Sequence, residues 1–535
     1  MHSGIVVCVV FLYVNFANCF NTSDGNVDNV SFQLYSYREK TPKPALLTAS
    51  SGQPIYDVDT DALDGDLLIN QYFLDSIDSA VNARIPAREA FAKAAAAHGY
   101  FIVTNDVTKY TKAKLFEKVG KKTKIFARLG ISQVFKGQSD TTLAAARGMA
   151  VKFYTEQGNL DLLGVNVPVY FYKNPLLFKE LFHSFGPNPK TSIQDPNAII
   201  DFIVQNPVTL HSLLWFFSEY GLPKGYRHMN AFPIHSFQLY NEKGQSYFAR
   251  FKILSELGYE SLSLDQAAAI SSYDFNFFTR DLYNSIERKN YPTWSLEMDV
   301  LNVFGIKNLH FDPFDVTRLW PNGTYTTVPI GKIILDRNVE NYFAEAEQAA
   351  FNPINLVPGI KNPPEKLYMA RTFAYSSAQK NRLGSNYNKI PINCPMYAET
   401  YNRDGDPPVL DNGGDAVNYY PNSFNGPVPY YDPARPRQQF KIVETNEVHL
   451  EDSRKFYQDV LALDDQKQRL VDNFVRASLR VKHSLQEKLL NLFQKVDPDL
   501  AARYEKTLDK IKKNVKLPNV VEDLDDDNLN PFSNA

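Results

Sequence analysis

Asn341-Tyr342-Phe343-Ala344-Glu345-Ala346-Glu347-Gln348, then Phe351-Asn352-Pro353 and Pro358-Gly359-Ile360, is the stretch on which the reading of this chain turns. It stands at the head of residues 345–445, which are rich in Pro, Asn, Gly and Tyr and carry little periodicity. So long an irregular region inside a compact protein is usually functional or wraps a neighbour. Residues 20 to about 80 are polar, with turn-rich pieces such as Ser51-Gly52-Gln53-Pro54, and read as an extended arm rather than a core element. Residues 85–335 interleave β-like and helical runs. Residues 100–104, 150–154, 167–172, 235–240 and 247–251 read as strands, and residues 210–217 and 263–270 as helices. Downstream, residues 452–515 place Phe456, Val460, Leu463, Leu470, Phe474, Leu485, Leu489 and Phe493 at helical spacing. No internal repeat is visible.

Composition narrows the function classes. The chain has 535 residues, with 44% hydrophobic and 22% charged, so it can bury a large core and is not disordered. Lys plus Arg is 57 against 60 for Asp plus Glu, a net charge of −3. That balance argues against a nucleic-acid or anionic-membrane binder. Tyr (31) and Phe (37) far outnumber Trp (3), which suggests packed β layers or a pocket for a flat ligand. Three Cys exclude a disulfide scaffold, an iron–sulfur protein and a multi-cysteine zinc protein.

Residues 5–13 form an apolar run, followed by small and polar residues near Ala17, Asn18 and Cys19. This reads as a secretory signal over residues 1–19, although no basic residue precedes the run. It is too short to span a bilayer, which takes roughly 20 apolar residues. Sequons at Asn21, Asn29 and Asn322 fit a secreted glycoprotein. The C-terminus, Ser533-Asn534-Ala535, is not a peroxisomal address. Cleavage after Cys19 would leave Cys394 alone, with no intrachain disulfide possible.

Five further runs, in order, carry a resemblance. They are Val151-Lys152-Phe153-Tyr154-Thr155 with Gly158-Asn159-Leu160-Asp161-Leu162; Arg227-His228-Met229-Asn230 with His235-Ser236-Phe237; and Asp312-Pro313-Phe314-Asp315 with Trp320-Pro321. Then come Arg371-Thr372-Phe373-Ala374-Tyr375 with Arg382-Leu383-Gly384, and Asn418-Tyr419-Tyr420-Pro421-Asn422-Ser423-Phe424. Together with residues 341–360 they make the chain resemble the haem catalases over about residues 40–510. The resemblance implies an α+β fold: an antiparallel eight-stranded β-barrel with an N-terminal arm, a wrapping segment and a C-terminal α-helical domain. The expected boundaries are an arm at 20–84, a haem-binding barrel at 85–335, a wrapping segment with the proximal ligand at 336–445, helices at 446–515 and an acidic tail at 516–535. It also implies a homotetramer of interlocked arms.

The resemblance assigns Tyr375 to the iron of haem b, as an axial ligand. A phenolate is a hard anionic donor suited to ferric iron. Arg371, four residues earlier on a helix, can face that phenolate and keep it deprotonated. Arg88, Arg128 and Arg382 are assigned to the propionates, for which guanidinium forks are suited. Phe178 is assigned to stack on the haem face.

The opposite face departs from the family. Phe91 follows Arg84-Ile85-Pro86-Ala87-Arg88 where the family has its distal histidine, and Val165 stands where it has an asparagine. Gly130 replaces a serine, and the channel aspartate is absent from Leu143-Ala144-Ala145-Ala146-Arg147-Gly148. Histidine moves the peroxide proton because its pKa lies near neutrality, and asparagine supplies an oriented donor. Neither Phe91 nor Val165 can do this, so no catalytic residue is intact. His98, seven residues past Phe91, lies too far along an extended chain to replace it. His228 and His235 belong to structural motif runs and read as satisfied buried histidines. His211 matches a residue of the family's NADPH pocket, but Leu254 and Asn322 replace a lysine and a histidine there, so NADPH is not expected.

The function expected is therefore a secreted, catalase-family haem-binding protein with impaired or lost catalase turnover. The alternatives are an active catalase that degrades hydrogen peroxide to water and oxygen, a weak peroxidase (including one acting on lipid hydroperoxides), and a structural or partner-binding pseudoenzyme.

Overall fold

The computed structural model describes residues 28–61, 67–132, 138–142, 145–407, 412–437, 440 and 448–514. The expected signal segment 1–19, Asn21, Leu143, Ala144 and the tail 516–535 lie outside these residues. The chain divides into two compact units, Met1–Arg84 and Ile85–Ala535.

The first unit has no core to speak of. Among its described residues only Ala49 is buried. It was expected to be extended, yet it forms two helices, α1 (Gln33–Lys40) and α2 (Gln71–Asn82). Asn70 caps α2 by accepting from the Phe73 amide, which offsets one orphan donor of the first turn.

The second unit is organised by one curled antiparallel sheet. Its strands are β1 (Ala94–Val103), β2 (Lys122–Ile131), β3 (Arg147–Thr155), β4 (Gly158–Val165), β5 (Phe237–Tyr240), β6 (Ser246–Ser255), β7 (Thr293–Asn302), β8 (Thr326–Asn338) and the two-residue β9 (Ile360–Lys361). Their order is β4-β3-β2-β1-β8-β7-β6-β5-β9. Single bridges Val165–Phe232 and Ala231–Ile253 link the β4 edge to the other end of the sheet. Strand periodicity explains the inside. On β7, Trp294, Leu296, Met298 and Val300 alternate inward, and they join Phe101, Phe153, Phe251 and Ile333 in one core. At Gly99 the strands come so close that a Cβ would sit 1.9 Å from the Ile334 carbonyl oxygen.

The run 167–172 is a correction to the sequence reading: it is irregular, not a strand. Its apolar residues are buried because the segment crosses between clusters, and the Tyr170 amide donates to Val316 O at 2.8 Å rather than to a ladder.

Helices surround the sheet: α3 (Leu177–Phe185), α4 (Pro196–Gln205), α5 (Leu210–Phe217), α6 (Leu264–Tyr273), α7 (Phe277–Glu287) and α8 (Lys366–Leu383). A capping box, Ser263 with Gln266, starts α6. The C-terminal helices α9 (Asp464–Ser478), α10 (His483–Val496) and α11 (Pro498–Asn514) share a second core with α5. There Phe217 stacks on Phe474 with centroids 4.2 Å apart, and Phe474 meets Phe493 edge-on at 5.2 Å.

The motif stretch 341–360 is tied to the sheet by a buried ion pair. Lys152 on β3 donates to both oxygens of Asp161 on β4, at 2.8 and 3.0 Å. Asp161 also accepts from the Asn352 amide at 2.9 Å and from the Asn355 side chain at 2.8 Å. A buried pair is favourable only when its remaining lone pairs are satisfied in this way. The result is to fix Phe351 on the wall of the cavity described next.

Candidate haem cavity

A cavity of about 310 Å³ opens between the sheet, α3 and α8. Helix α8 forms one wall. Arg371, Tyr375, Ala378 and Arg382 recur at helical spacing along the face that lines it, and Ala374 and Ala378 keep that face flat. Gly384 ends the helix at φ 84°, where a Cβ would lie 2.4 Å from the Asp406 carbonyl oxygen.

Arg371 connects Tyr375 to a buried charge chain. Its Nη2 donates to the Tyr375 hydroxyl at 3.3 Å and its Nη1 to His235 Nε2 at 2.7 Å. His235 Nδ1 in turn donates to Glu365, whose other oxygen accepts from the Ser236 amide at 2.8 Å. Burial pushes the His235 pKa down, although Glu365 opposes the shift. A neutral ring with its proton on Nδ1 is the tautomer these partners require. Burial works against the Arg371 charge, but the neighbouring Tyr375 and Tyr170 hold its pKa above the usual arginine value. Glu365 occupies the N-cap position of α8, yet its carboxylate turns to His235 instead of capping.

At another end of the cavity three guanidiniums gather. Arg88 donates to the carbonyls of Ala346, Glu347 and Ala349 at 2.7–3.0 Å. Arg382 donates to the Glu347 carbonyl at 2.7 Å, and Arg128 to the carbonyls of Phe91 and Ala92 at 2.6 and 3.0 Å. One carboxylate, Glu347, lies 3.7 Å from Arg88. Burial, then repulsion from Arg128 and Arg382, pulls the Arg88 pKa well below the arginine range. Burial likewise brings Arg382 down to about 10, with Glu347 opposing and Arg128 adding to the fall. Arg88 Nη1 and Arg128 Nε are buried without an acceptor among the described residues. Unpaired buried donors and excess positive charge are costly unless an anion completes them. Two carboxylates on a flat molecule would do so, and the residues present therefore fit a haem.

The facing wall is apolar. Phe91, Gly130, Gly148, Met149, Leu163 and Val165 line it, and Phe178 packs on Phe182 with centroids 4.6 Å apart. Phe91 has a positive φ of 58°, a conformation that costs energy for a non-glycine residue. Gly148 makes room for its ring, and Gly130 lies beside its Cβ. A Cβ on Gly148 would lie 2.9 Å from Phe91 Cε1, and one on Gly130 would lie 3.5 Å from Phe91 Cβ.

The cavity thus brings together Arg88, Arg128, Phe178, Arg371, Tyr375, Arg382, Phe91 and Val165. His98 is not among its lining residues. It sits within β1, packs its ring on Phe126 and pairs with Glu345 at a separate surface cavity. His211 is buried with both nitrogens engaged, by the Thr317 carbonyl at 2.8 Å and by Trp215 Nε1 at 3.2 Å. Leu254 lies on β6, and Asn322 lies in an exposed turn. The sequence reading took His235 for a satisfied buried residue, named Glu347 only as part of a motif, and passed over Glu365 and Glu89. His235 and Glu365 are linked to Tyr375 only through space, by way of Arg371, and a sequence offers no signal for that. His228, read as buried, is only half-buried, with Nδ1 3.4 Å from the Gly258 carbonyl.

Fold and cavity together define a catalase-type protein, and comparison agrees. The Catalase family profile matches residues 48–426, and a second, Catalase-related immune-responsive, matches residues 445–508. The chain belongs to the catalase family. It is 39% identical to catalase of Sus scrofa over 498 residues, covering 91% of this chain and 94% of that one. It is also 39% identical to catalase of Methanosarcina barkeri, covering 89% and 96%. Among solved structures it superposes on a fungal catalase (TM-score 0.82, 30% identity, 87% and 96% covered) and on catalase A from Saccharomyces cerevisiae (TM-score 0.81, 30% identity, 86% and 99% covered). No helix among the described residues is long and apolar enough to cross a membrane.

Proposed function

We propose that this protein binds one haem b in the cavity and has lost most catalase turnover. One observation carries the reading: Phe91 and Val165 lie on the wall that faces Tyr375 and Arg371, where a bound peroxide would have to give up its proton. Haem, when bound, supplies an iron centre able to take up a peroxide oxygen and exchange electrons with it.

The chain's own residues do the rest. Tyr375 would ligate the iron of a bound haem as a phenolate. Arg371 stabilises that negative oxygen, and the His235–Glu365 pair holds Arg371 in place. Arg88, Arg128 and Arg382 take the propionates, and Phe178 covers the ring. Phe91 excludes water and holds no proton. Val165 offers no donor. General acid–base help is worth about 10²–10⁴-fold and one oriented donor about 10²–10³-fold, so turnover falls far below that of a family member with both.

The protein is secreted, carries sugar on exposed sequons such as Asn322, and assembles as a homotetramer through its arm and wrapping segment. It does not retain NADPH, because Leu254 and Asn322 offer no cation for its phosphates. Titration with haem tests the reading: a Soret band saturating at one haem per chain, with a tyrosinate-ligated ferric spectrum that Tyr375→Phe abolishes. No uptake, or an unchanged spectrum in Tyr375→Phe, would overturn it.

A further inference from the structure

One wall residue has no role in the family reading. Glu89 lines the cavity two positions before Phe91 and is the sole carboxylate among the described residues that do so. It makes no hydrogen bond or ion pair within the described residues. The arginine cluster does not use it: Glu347, not Glu89, is the carboxylate that supports the charge of Arg88. Glu89 and Phe91, two positions apart, both line the cavity, and the chain takes a left-handed turn at Phe91. Glu89 is also exposed, so a proton it accepts can leave to water. A group that must be reset after each proton transfer needs that route. The remaining side chains on this wall are phenyl, alkyl, thioether or absent.

We propose that Glu89 is the proton acceptor of this cavity, standing in for the missing imidazole toward weakly acidic ligands of the hydrogen peroxide and hydrogen cyanide class. This rests on the haem reading above. In the step, the X–H bond of the ligand breaks and its proton passes to a carboxylate oxygen of Glu89. X⁻ keeps the electron pair and would be taken up by the iron of the bound haem. A carboxylate is a weaker base than imidazole, so the residue supports slow ligand entry rather than family-level turnover.

The test is cyanide binding to the haem-loaded full chain, followed by stopped-flow at the Soret band from pH 4 to 8. The wild-type association rate should fall in acid. Glu89→Gln should be slower by about 10²-fold or more and lose that acid limb. Nitric oxide, which sheds no proton on binding, should bind both alike, an outcome that a merely structural role for Glu89 would not give. Phe91→His added to Glu89→Gln should restore the rate. Equal cyanide rates and pH profiles in wild type and Glu89→Gln would overturn this inference alone. Failure of the wild type to take up haem would overturn it together with the haem reading.

Discussion

Phe91→His combined with Val165→Asn, in haem-loaded protein, should raise oxygen release from hydrogen peroxide by at least about 10²-fold. The lower bound is the smallest gain from a positioned base, about 10², or about 2.7 kcal/mol of barrier. Full independence of base and donor would give roughly 10⁷, but groups acting as a unit are not additive, so the gain lies between. The site has room. The space beside Gly148 already holds a phenyl ring, and imidazole is smaller. The Arg128 contact goes to the backbone carbonyl of residue 91 and survives the change. Lost apolar contact should cost about 1–2 kcal/mol of stability. An oxygen electrode gives the rate, normalised to haem by absorbance, with both single variants alongside. A double variant that is folded, carries one haem per chain and gains less than about threefold would refute the assignment of the loss to this pair.

Other outcomes follow from the same geometry. Lys152→Met leaves the Asp161 carboxylate buried without its cation and should cost about 3–5 kcal/mol in urea unfolding, whereas a surface variant such as Lys179→Met should stay within about 0.5 kcal/mol. Gly148→Ala forces a Cβ against both Phe91 and the Gly164 carbonyl, each at 2.9 Å, and should destabilise by about 1–3 kcal/mol. Adding Phe91→Ala should relieve part of that cost, and strict additivity would contradict the contact. His235 and His211 have pKa values lowered by burial, so as pH falls below about 6.5 the unfolded chain takes up protons before the folded one. Stability should therefore decline from pH 7 toward pH 5, and His211→Gln should flatten that decline.

Sequence and structure agree best where the information is local. Arg371, Tyr375 and Arg382 share a face because helical periodicity puts them there, and α5 spans the residues expected of it, Leu210–Phe217. Ser263 was read as the first residue of a helix and is its N-cap. Residues 167–172 misled because a continuous apolar run signals burial on two sides, which does not require a ladder. Those residues pass between packed clusters, and their backbone bonds go elsewhere. The arm was read as extended because it lacks a core, and absence of a core does not prevent short capped helices. The charge chain from Tyr375 to Glu365 joins residues 130 apart in sequence at its His235 link. No periodicity encodes that closeness. Motif context thus grouped Arg371, Tyr375 and Arg382, which do line one cavity, and the sequence alone shows Phe91 and Val165, which line it too. The room that Gly148 leaves for the Phe91 ring, and the place of Glu89 in the cavity lining, emerge only in three dimensions.

Oxygen release from hydrogen peroxide by the wild-type protein, per bound haem and beside pig catalase in one assay, bears most directly on the proposal that the cavity takes a haem but lacks the distal histidine and asparagine. A rate at least about 10²-fold below the pig enzyme is the outcome expected from Phe91 and Val165. Equal rates at equal haem would contradict it.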